Sequence, residues 1–479
     1  MAVAQPTRPH RYRVAMPIDE WDLLERYGAA VEEDAAAVFI GAGLSLSQGL
    51  PDWIALLKKP RRTAGIPSGL RDLPLVAEYA TRSQPGGREA LEAHIAEQLD
   101  RATKEPSEGH RKLARLPLSE YWTTNYDELI ETAAPQLAVI RSESDWLERR
   151  GHRRLVKMHG SYSVEKHQWD EPPIITRTDY ETYEQKHPRT WAALRSTYLT
   201  KSILFLGFSF SDPNIDLMLK LARSLENLSP SEHYTILKRP DDIAGKREHE
   251  LRVADLERSG VTVCEVNNYD NLTPLLNNLA RRTAPPRLYV GGSFTEDSPA
   301  VSLAHRIGYQ LGSLKNLQLV SLAGPAGLHV SVGFSNAHRD QGDYRAEAAK
   351  FHLRSIANRP TKPDGHRIGT IVYDNLETPE LRSEVIPNCR AVLIVGGGDR
   401  TRAELEMADS LAIPTIPLPT TGGAAFEAYR SLTERRDSLP WLTMLSAADW
   451  DLLGSTMPET VAAAAVRLVS QATFLGSKS

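Results

Sequence analysis

The chain has 479 residues, with 57 lysines and arginines against 61 aspartates and glutamates, a formal net charge of -4. This length predicts two domains, and the near balance of charge excludes the basic footprint of a nucleic-acid-binding protein. The two cysteines, Cys264 and Cys389, are too few for a disulfide framework or a four-cysteine zinc site, so we expect no metal. No apolar run could span a bilayer and the first 12 residues lack a leader's apolar core, so we expect a cytoplasmic protein without nucleic-acid or membrane partners.

A short apolar run that ends in glycines opens the first predicted domain. Residues 36–40 are apolar, and Gly41, Ala42, Gly43 and then Ser45 follow them. The pattern predicts a buried strand that turns into a helix N-terminus, where glycines let the backbone approach a pyrophosphate and the helix dipole attracts its charge. The alternative is an ordinary tight turn between a strand and a helix.

Three further apolar segments predict strands that end in small or polar residues. These residues are Asn125 and Asp127 after residues 121–124, His159 after residues 154–158, and Gly207, Ser209 and Asp212 after residues 202–206. Each alone is explained by a helix cap, a turn or a structural histidine. Because the carboxyl ends of parallel strands share one edge of a sheet, four such ends predict a ligand site. The alternation of strands and helices predicts a doubly wound, mainly parallel α/β sheet over roughly residues 30–280.

These motifs together resemble the sirtuin family. Residues 41–52 are similar to its nucleotide loop, residues 123–127 to its Thr-Gln-Asn-x-Asp signature, and His159 with Gly160 to its catalytic His-Gly pair. Residues 207–212 resemble the divergent bacterial sirtuin-like proteins. The resemblance implies cleavage of NAD⁺, with Asn125 orienting the ribose and the attacking water and His159 acting as a general base or polarising a ribose hydroxyl. It implies NAD⁺ binding by Gly41, Ala42, Gly43, Ser45, Asp52, Asp127, Gly207, Ser209 and Asp212.

The chain departs from the sirtuin pattern at informative positions. Ile54 stands where the deacylases carry an arginine, Thr124 replaces the signature glutamine, and the four zinc-binding cysteines of the deacylases are missing. We therefore expect hydrolysis of NAD⁺ rather than deacylation. An NAD-dependent protein deacylase and a non-catalytic nucleotide-binding sensor or scaffold stay as alternatives.

A charged, proline-containing joint over residues 281–287 divides the chain into predicted domains 1–284 and 285–479. In the second domain the pattern predicts strands over residues 288–293, 317–322, 391–395 and 413–418. Helices are predicted over residues 303–314 and 346–356. The two domains are thus predicted to be Rossmann-like, each a doubly wound, mainly parallel sheet flanked by helices.

The glycine motifs of the second domain resemble those of the LOG and DprA-like superfamily, also called SLOG domains. Proteins of this superfamily bind nucleotide-derived ligands. Residues 396–398 with Glu404, and then residues 421–423, carry the resemblance. It implies a ligand site formed by Gly291, Gly292, Ser293, Arg382, Gly397, Gly398, Arg400, Glu404, Gly422 and Gly423. Arg400 replaces a glycine of the catalytic members, which favours the binding of an anionic ligand over phosphoribohydrolase activity.

The order of the two domains resembles that of the effectors of the Thoeris anti-phage system. The resemblance implies an NAD⁺ hydrolase that is activated when a cyclic ADP-ribose isomer, made by a partner TIR protein, binds the C-terminal domain. NAD⁺ depletion would then abort the infection. It further implies a homo-oligomer, typically a tetramer, with no cofactor beyond NAD⁺ as substrate.

Overall fold

The computed structural model describes residues 17–83, 85–102, 105–149, 153–210, 212–224, 232–354 and 368–475. The amino-terminal segment considered above as a leader lies outside these residues. The chain forms two compact units, Met1–Asn277 and Asn278–Ser479. Each unit contains a parallel β-sheet with helices around it, which confirms the predicted fold class.

The strands of the first unit, in the described residues, form one large sheet and one hairpin. They are β1 (Ala36–Ile40), β2 (Glu120–Thr123), β3 (Ala138–Ile140), β4 (Arg154–Lys157), the hairpin strands β5 (Ser161–Ser163) and β6 (Gln168–Glu171), β7 (Ser202–Leu206), β8 (His233–Lys238) and β9 (Val261–Val266). The large sheet has the strand order β3-β4-β2-β1-β7-β8-β9, and every pairing is parallel.

The helices of this part of the chain are α1 (Glu20–Glu32), α2 (Trp53–Thr63), α3 (Leu73–Ser83), α4 (Gly87–Arg101), α5 (Glu108–Ala114), α6 (Leu129–Ala133), α7 (Asp145–Glu148), α8 (Arg177–Glu181), α9 (Tyr183–Lys186), α10 (Pro188–Thr200), α11 (Pro213–Ser224), α12 (Ile243–Arg258) and α13 (Leu272–Thr283). The division between the two units falls within α13.

The central strand β1 explains where a ligand site can form. All five of its residues are buried, which is why its sequence is an uninterrupted apolar run. Its neighbours are β2 on one side and β7 on the other, and the chain order reverses between them. Open parallel sheets bind ligands outside the carboxyl ends of the strands at such a switch point.

The second unit repeats this architecture with a sheet of six strands in the described residues, in the order β13-β12-β11-β10-β14-β15. The strands are β10 (Arg287–Gly291), β11 (Gln318–Ser321), β12 (Ala349–Arg354), β13 (Thr370–Asp374), β14 (Ala391–Val395) and β15 (Thr415–Leu418). The helices are α14 (Ala300–Leu311), α15 (Pro325–Gln341), α16 (Thr378–Val385), α17 (Asp399–Ser410), α18 (Gly423–Glu434), α19 (Pro440–Thr443), α20 (Ala447–Leu452) and α21 (Pro458–Thr473). The switch point lies between β10 and β14.

Two local predictions were wrong. The helix predicted over residues 346–356 is the strand β12 as far as the described residues extend, and Ala349 and Phe351 point to the core while intervening polar residues are less buried. The helix predicted directly after Gly43 is replaced by two short 3₁₀ turns, Ala42–Leu44 and Leu46–Gln48, and α2 begins only at Trp53.

The long helix α15 was not predicted, although Pro325 occupies a favourable first position.

Candidate functional site

The carboxyl ends of β1, β2, β4 and β7 open into a cleft of about 790 Å³ in the first unit. The cleft is lined by all of the residues that the sequence analysis assigned to catalysis or NAD⁺ binding: Gly41, Ala42, Gly43, Ser45, Asp52, Asn125, Asp127, His159, Gly207, Ser209 and Asp212. The structure thus brings together residues that lie far apart in the sequence. Their roles stay predictions.

The glycines of the first turn pack directly against the turn after β7. The Gly41 amide donates to the Leu206 carbonyl at 2.8 Å, and the Gly43 amide donates to the Gly207 carbonyl at 2.9 Å. A Cβ atom on Gly43 would lie 2.7 Å from Gly207 Cα, and one on Gly207, whose φ is +61°, would lie 2.4 Å from the Leu44 nitrogen. The close contact of two backbones therefore requires these glycines, whether or not a pyrophosphate is bound.

Asn125 stands at the centre of the cleft wall and is 7% exposed. Its Nδ2 donates to the Gly41 carbonyl at 3.3 Å and to Ser45 Oγ at 3.2 Å, while its backbone amide donates to Thr123 Oγ1 at 3.0 Å. Both hydrogens of the side-chain amide are therefore used within the protein. The amide oxygen is the group left to accept a hydrogen bond from a ligand or a water.

Ser45 connects Asn125 to two further polar side chains. Its Oγ donates to Asp127 Oδ2 at 3.2 Å and lies 3.4 Å from Nε2 of His110, a histidine on α5. Asp127 Oδ1 accepts from the Leu129 amide at 3.1 Å. Burial raises the pKa of Asp127, and the Lys157 ammonium opposes that effect. The result is a buried network directly behind the amide of Asn125.

His159 also lines the cleft, just past the end of β4, and is 2% exposed. Its Nε2 is 3.4 Å from Asp212 Oδ2, yet it makes no hydrogen bond to any described residue. The rings of Tyr180 and Tyr183 pack edge-on against the imidazole. Burial lowers the pKa of His159, and the Asp212 carboxylate partly offsets that shift. The ring is therefore neutral near pH 7, and Nε2 is free to exchange a proton with a ligand.

Asp212 has a structural role as well as its place beside His159. Its Oδ1 accepts from the amides of Asn214 at 2.9 Å and Ile215 at 3.3 Å, which caps α11. Its Oδ2 accepts from the Tyr180 hydroxyl at 3.3 Å. Asp52 is likewise a helix cap, since its Oδ1 accepts from the Ala55 amide at 2.7 Å.

Lys157 contacts the backbone of the loop that follows β2. Its side chain is fully buried at the end of β4, and its ammonium donates to Glu131 Oε1 at 2.8 Å and to the Tyr126 carbonyl at 3.2 Å, as well as to the Asp127 carbonyl. A single cation therefore holds two consecutive carbonyls of the loop that carries Asn125.

Sequence reasoning missed several residues of this site. His110 comes from α5, Tyr180 from α8, and Arg252 from α12, where its guanidinium donates to the Ser209 carbonyl at 3.0 Å. None of them stands at the end of a strand or in a glycine motif, so no local pattern marks them. The position where sirtuin deacylases carry an arginine, Ile54, is 69% exposed.

The predicted glycines of the second unit meet at its switch point. The Gly397 amide donates to the Ser293 carbonyl at 2.9 Å, and Cβ atoms on Gly292 and Gly423 would collide with the Val395 and Gly397 carbonyls. The helices α17 and α18 begin there, after Gly398 and Gly422, without a side-chain cap. At the start of α18 the amides of Ala424 and Ala425 already donate to the Gly397 and Gly396 carbonyls, so the first amides of α17 are the ones available to an anion.

The charged residues predicted for this second site differ in their surroundings. Glu404 is 7% exposed, burial raises its pKa, and its Oε2 has no partner among the described residues. That oxygen faces Gly291, where a Cβ atom would lie 2.3 Å away. Arg400 is exposed in the first turn of α17, and Arg382 is half-buried. The structure thus places all ten residues on this unit, with Glu404 buried and Arg400 open to solvent.

Searches of the described residues for two other features found neither. No group of three or more histidine, cysteine, aspartate or glutamate side chains is arranged to hold a metal ion. No helix in the described part of the chain is long and apolar enough to cross a membrane.

Comparison with known proteins agrees with the geometry of the first unit. A family model described as a SIR2-like domain matches residues 119–263. NAD(+) hydrolase ThsA of Enterococcus faecium is 30% identical over 330 residues, covering 61% of this chain and 66% of that protein. NAD(+) hydrolase ThsA of Bacillus cereus (strain MSX-D12) is 32% identical over 289 residues, covering 56% and 58%. Defense-associated sirtuin 2 of Bacillus subtilis is 26% identical over 254 residues, covering 49% and 24%.

The parallel sheet with a cleft at its switch point defines an α/β protein, and residues 119–263 of that unit are similar to the SIR2-like domain. The relatives to which the chain is similar include these two proteins named NAD(+) hydrolase ThsA. The chain spans 66% of the length of one ThsA relative and 58% of the other.

Proposed function

We propose that this chain hydrolyses NAD⁺ to nicotinamide and ADP-ribose. The observation that carries the proposal is that Asn125 and His159 line one cleft, with the Asn125 amide oxygen and His159 Nε2 both left without protein partners in the described residues. The names of the two ThsA relatives support the same activity.

The proposed reaction breaks the bond between nicotinamide and ribose and adds water to the ribose carbon. Cleavage passes through an oxocarbenium-like state, so the site has to hold the ribose and direct a single water molecule. Asn125 Oδ1 accepts a hydrogen bond from a ribose hydroxyl or from that water. Neutral His159 accepts a proton at Nε2, either from the water as it attacks or from a ribose hydroxyl. In the turn after Gly41 the amide proposed to meet the pyrophosphate is that of Ala42, because the Gly41 and Gly43 amides already donate to protein carbonyls.

The second unit is proposed to sense a cyclic ADP-ribose isomer made by a partner TIR protein. The uncapped N-terminus of α17 suits its phosphates, and the buried Glu404 carboxyl suits a hydroxyl or an amine. Binding would switch on NAD⁺ hydrolysis in the cytoplasm during phage infection, within a homo-oligomer that is typically a tetramer. NAD⁺ depletion would then abort the infection as part of a Thoeris system.

The test is the consumption of NAD⁺ by the purified chain, alone and with each of a panel of cyclic ADP-ribose isomers. We expect nicotinamide and ADP-ribose in equal amounts, and a faster rate with one isomer. No NAD⁺ loss under any condition would contradict the hydrolase. If NAD⁺ is consumed only when an acetyl-lysine peptide is present, the chain is a deacylase instead. If no isomer changes the rate of NAD⁺ consumption, the second unit is not the proposed sensor.

Replacing Asn125 by alanine is expected to lower kcat by about 100-fold or more, because the acceptor that orients ribose or water is lost. Asn388→Ala, which changes an exposed asparagine bonded to the Glu384 carbonyl, is the matched control and should leave the rate unchanged. Both variants should keep the wild-type circular dichroism spectrum. Full turnover by Asn125→Ala would exclude the proposed role.

A further inference from the structure

His110 is a buried polar residue that the proposed reaction does not use directly. It is 1% exposed on α5, on the same helix face as Leu113 and Ala114. Both ring nitrogens have partners: at Nδ1 the Ser107 amide donates at 3.3 Å and Ser107 Oγ lies 2.7 Å away, and Nε2 lies 3.4 Å from Ser45 Oγ. The contact with Ser107 closes a capping box at the start of α5, whereas the contact with Ser45 leads into the cleft.

The two contacts of His110 fix the position of its proton. Because Nδ1 accepts a hydrogen bond from the Ser107 amide, the proton of the neutral ring lies on Nε2. Burial lowers the pKa of His110 to about 4, so the ring carries one proton at neutral pH. Nε2 therefore donates to Ser45 Oγ.

This direction determines what Ser45 does with its own proton. Ser45 Oγ accepts from His110 Nε2 and from Asn125 Nδ2, so both of its lone pairs are used. Its hydroxyl proton then goes to Asp127 Oδ2, at 3.2 Å. With the proton directed to Asp127, Ser45 cannot donate to Asn125 and can only accept from it.

We propose, on the basis of the proposed NAD⁺ hydrolysis, that His110 is a positioning residue that fixes the orientation of the Asn125 amide through Ser45. Without the His110 donor, Ser45 Oγ keeps Asp127 but loses one of the contacts that fix its position. The Asn125 amide then keeps the Gly41 carbonyl as an acceptor but loses a fixed Ser45 acceptor, so its oxygen is less precisely directed at the substrate. We expect kcat to decrease, because the ribose or the water is held in the wrong geometry.

Three substitutions separate this role from packing. In His110→Gln the side-chain amide reaches the place of Nε2 and can still donate to Ser45. In His110→Asn the amide reaches only the place of Nδ1, so the contact with Ser107 is kept and the donor to Ser45 is lost. His110→Leu removes both contacts and keeps an apolar side chain in the core. His94→Gln is the matched control, since His94 is a half-buried histidine on α4 whose Nε2 contacts the Leu56 carbonyl away from this network.

The experiment measures kcat and KM for NAD⁺ with the full chain, under the conditions in which the wild type is most active. We expect kcat to fall about tenfold or more in His110→Asn and His110→Leu with KM changed by less than about threefold, and to recover to within about threefold of wild type in His110→Gln. His94→Gln should match the wild type. Thermal unfolding of each variant shows which ones are folded. If His110→Leu does not fold, the comparison of His110→Gln with His110→Asn still tests the proposal.

The outcomes separate this proposal from the proposed function. A wild-type chain that consumes no NAD⁺ contradicts the hydrolase itself. An active wild type with a fully active His110→Asn variant contradicts only the role of His110. Equal loss of kcat in the glutamine and asparagine variants also overturns the proposal, because it shows that the donor to Ser45 is not what matters.

Discussion

The charge state of His159 depends on two opposing effects. Burial lowers its pKa, and the Asp212 carboxylate 3.4 Å away raises it by stabilising the imidazolium. If neutral His159 is the base, activity is retained above the pKa of the ring and is lost as the pH falls through it. Under the proposed mechanism, Asp212 therefore moves the acid limit of activity, the pH below which activity is lost, to a higher value.

Asp212→Asn is expected to move this acid limit to lower pH. The substitution removes the negative charge that favours the imidazolium, so the pKa of His159 falls further and the neutral ring persists in more acidic solution. Asparagine caps a helix as well as aspartate does, so α11 should stay intact. The measurement is kcat/KM between about pH 5 and 8.

The matched control for this experiment is Asp242→Asn. Asp242 caps α12 through the Gly245 amide at 2.7 Å and is not among the residues that line the cleft. It should leave the pH profile unchanged. If Asp212→Asn leaves the acid limit unchanged, one of two assumptions is wrong. Either His159 is not the group whose titration limits activity, or Asp212 does not affect the pKa of His159.

At the residue scale, the site residues that could be predicted from the sequence are those in the segments that follow a strand. Asn125, His159 and Asp212 stand at strand ends, and the sheet brings such ends together. Ser45 was predicted as well, but its partner His110 was not, because the two are 65 residues apart and meet only through the packing of α5. A side-chain network between distant helices leaves no periodic pattern in the sequence.

At the scale of elements, the two turns after β1 and β7 behave as one packed unit. Gly43→Ala is expected to lower the free energy of unfolding by about 1–3 kcal/mol, because the added methyl would lie 2.7 Å from Gly207 Cα and the backbone has to shift. Urea denaturation of the full chain, followed by circular dichroism, measures the loss.

Gly69→Ala provides the control for this substitution. Gly69 is exposed, and a Cβ atom there would meet no atom within 4 Å. Its unfolding midpoint should equal or slightly exceed that of the wild type, since alanine reduces the freedom of the unfolded chain. If Gly43→Ala were as stable as Gly69→Ala, the two turns would not be packed as described.

The strands were predictable where both faces are buried. The apolar runs of β1, β7 and β14 are buried at every position or nearly so, and each ends at a glycine. The short strand β3 and the strands β12 and β13 were missed or misassigned, because polar residues alternate in them or because the run is only three residues long. Periodicity over so few residues does not distinguish a strand from a helix.

At the scale of the whole molecule, the second unit is proposed to regulate the NAD⁺ hydrolysis of the first unit. Arg400→Ala is expected to raise the concentration of activating isomer needed for half-maximal NAD⁺ hydrolysis about tenfold or more, because a charge-assisted hydrogen bond to phosphate is lost. The maximal rate should not change, since the cleft of the first unit is untouched. A dose–response curve measures both quantities.

Arg430→Ala is the control for Arg400→Ala. Arg430 is 66% exposed on α18, 3.8 Å from Glu434, and outside the glycine cluster. It should give the wild-type curve. An unchanged half-maximal concentration in Arg400→Ala would remove Arg400 from the proposed activator site.

The order in which the first sheet is assembled during synthesis follows from the pairing of β1. Ala37 pairs with Glu120 and Ala36 pairs with Ser202, so β1 gains its second neighbour only after the ribosome has passed β7. A chain that ends prematurely before that point lacks Gly207 and Asp212 together. Under the proposed function, incomplete translation products therefore cannot consume the NAD⁺ of the cell that makes them.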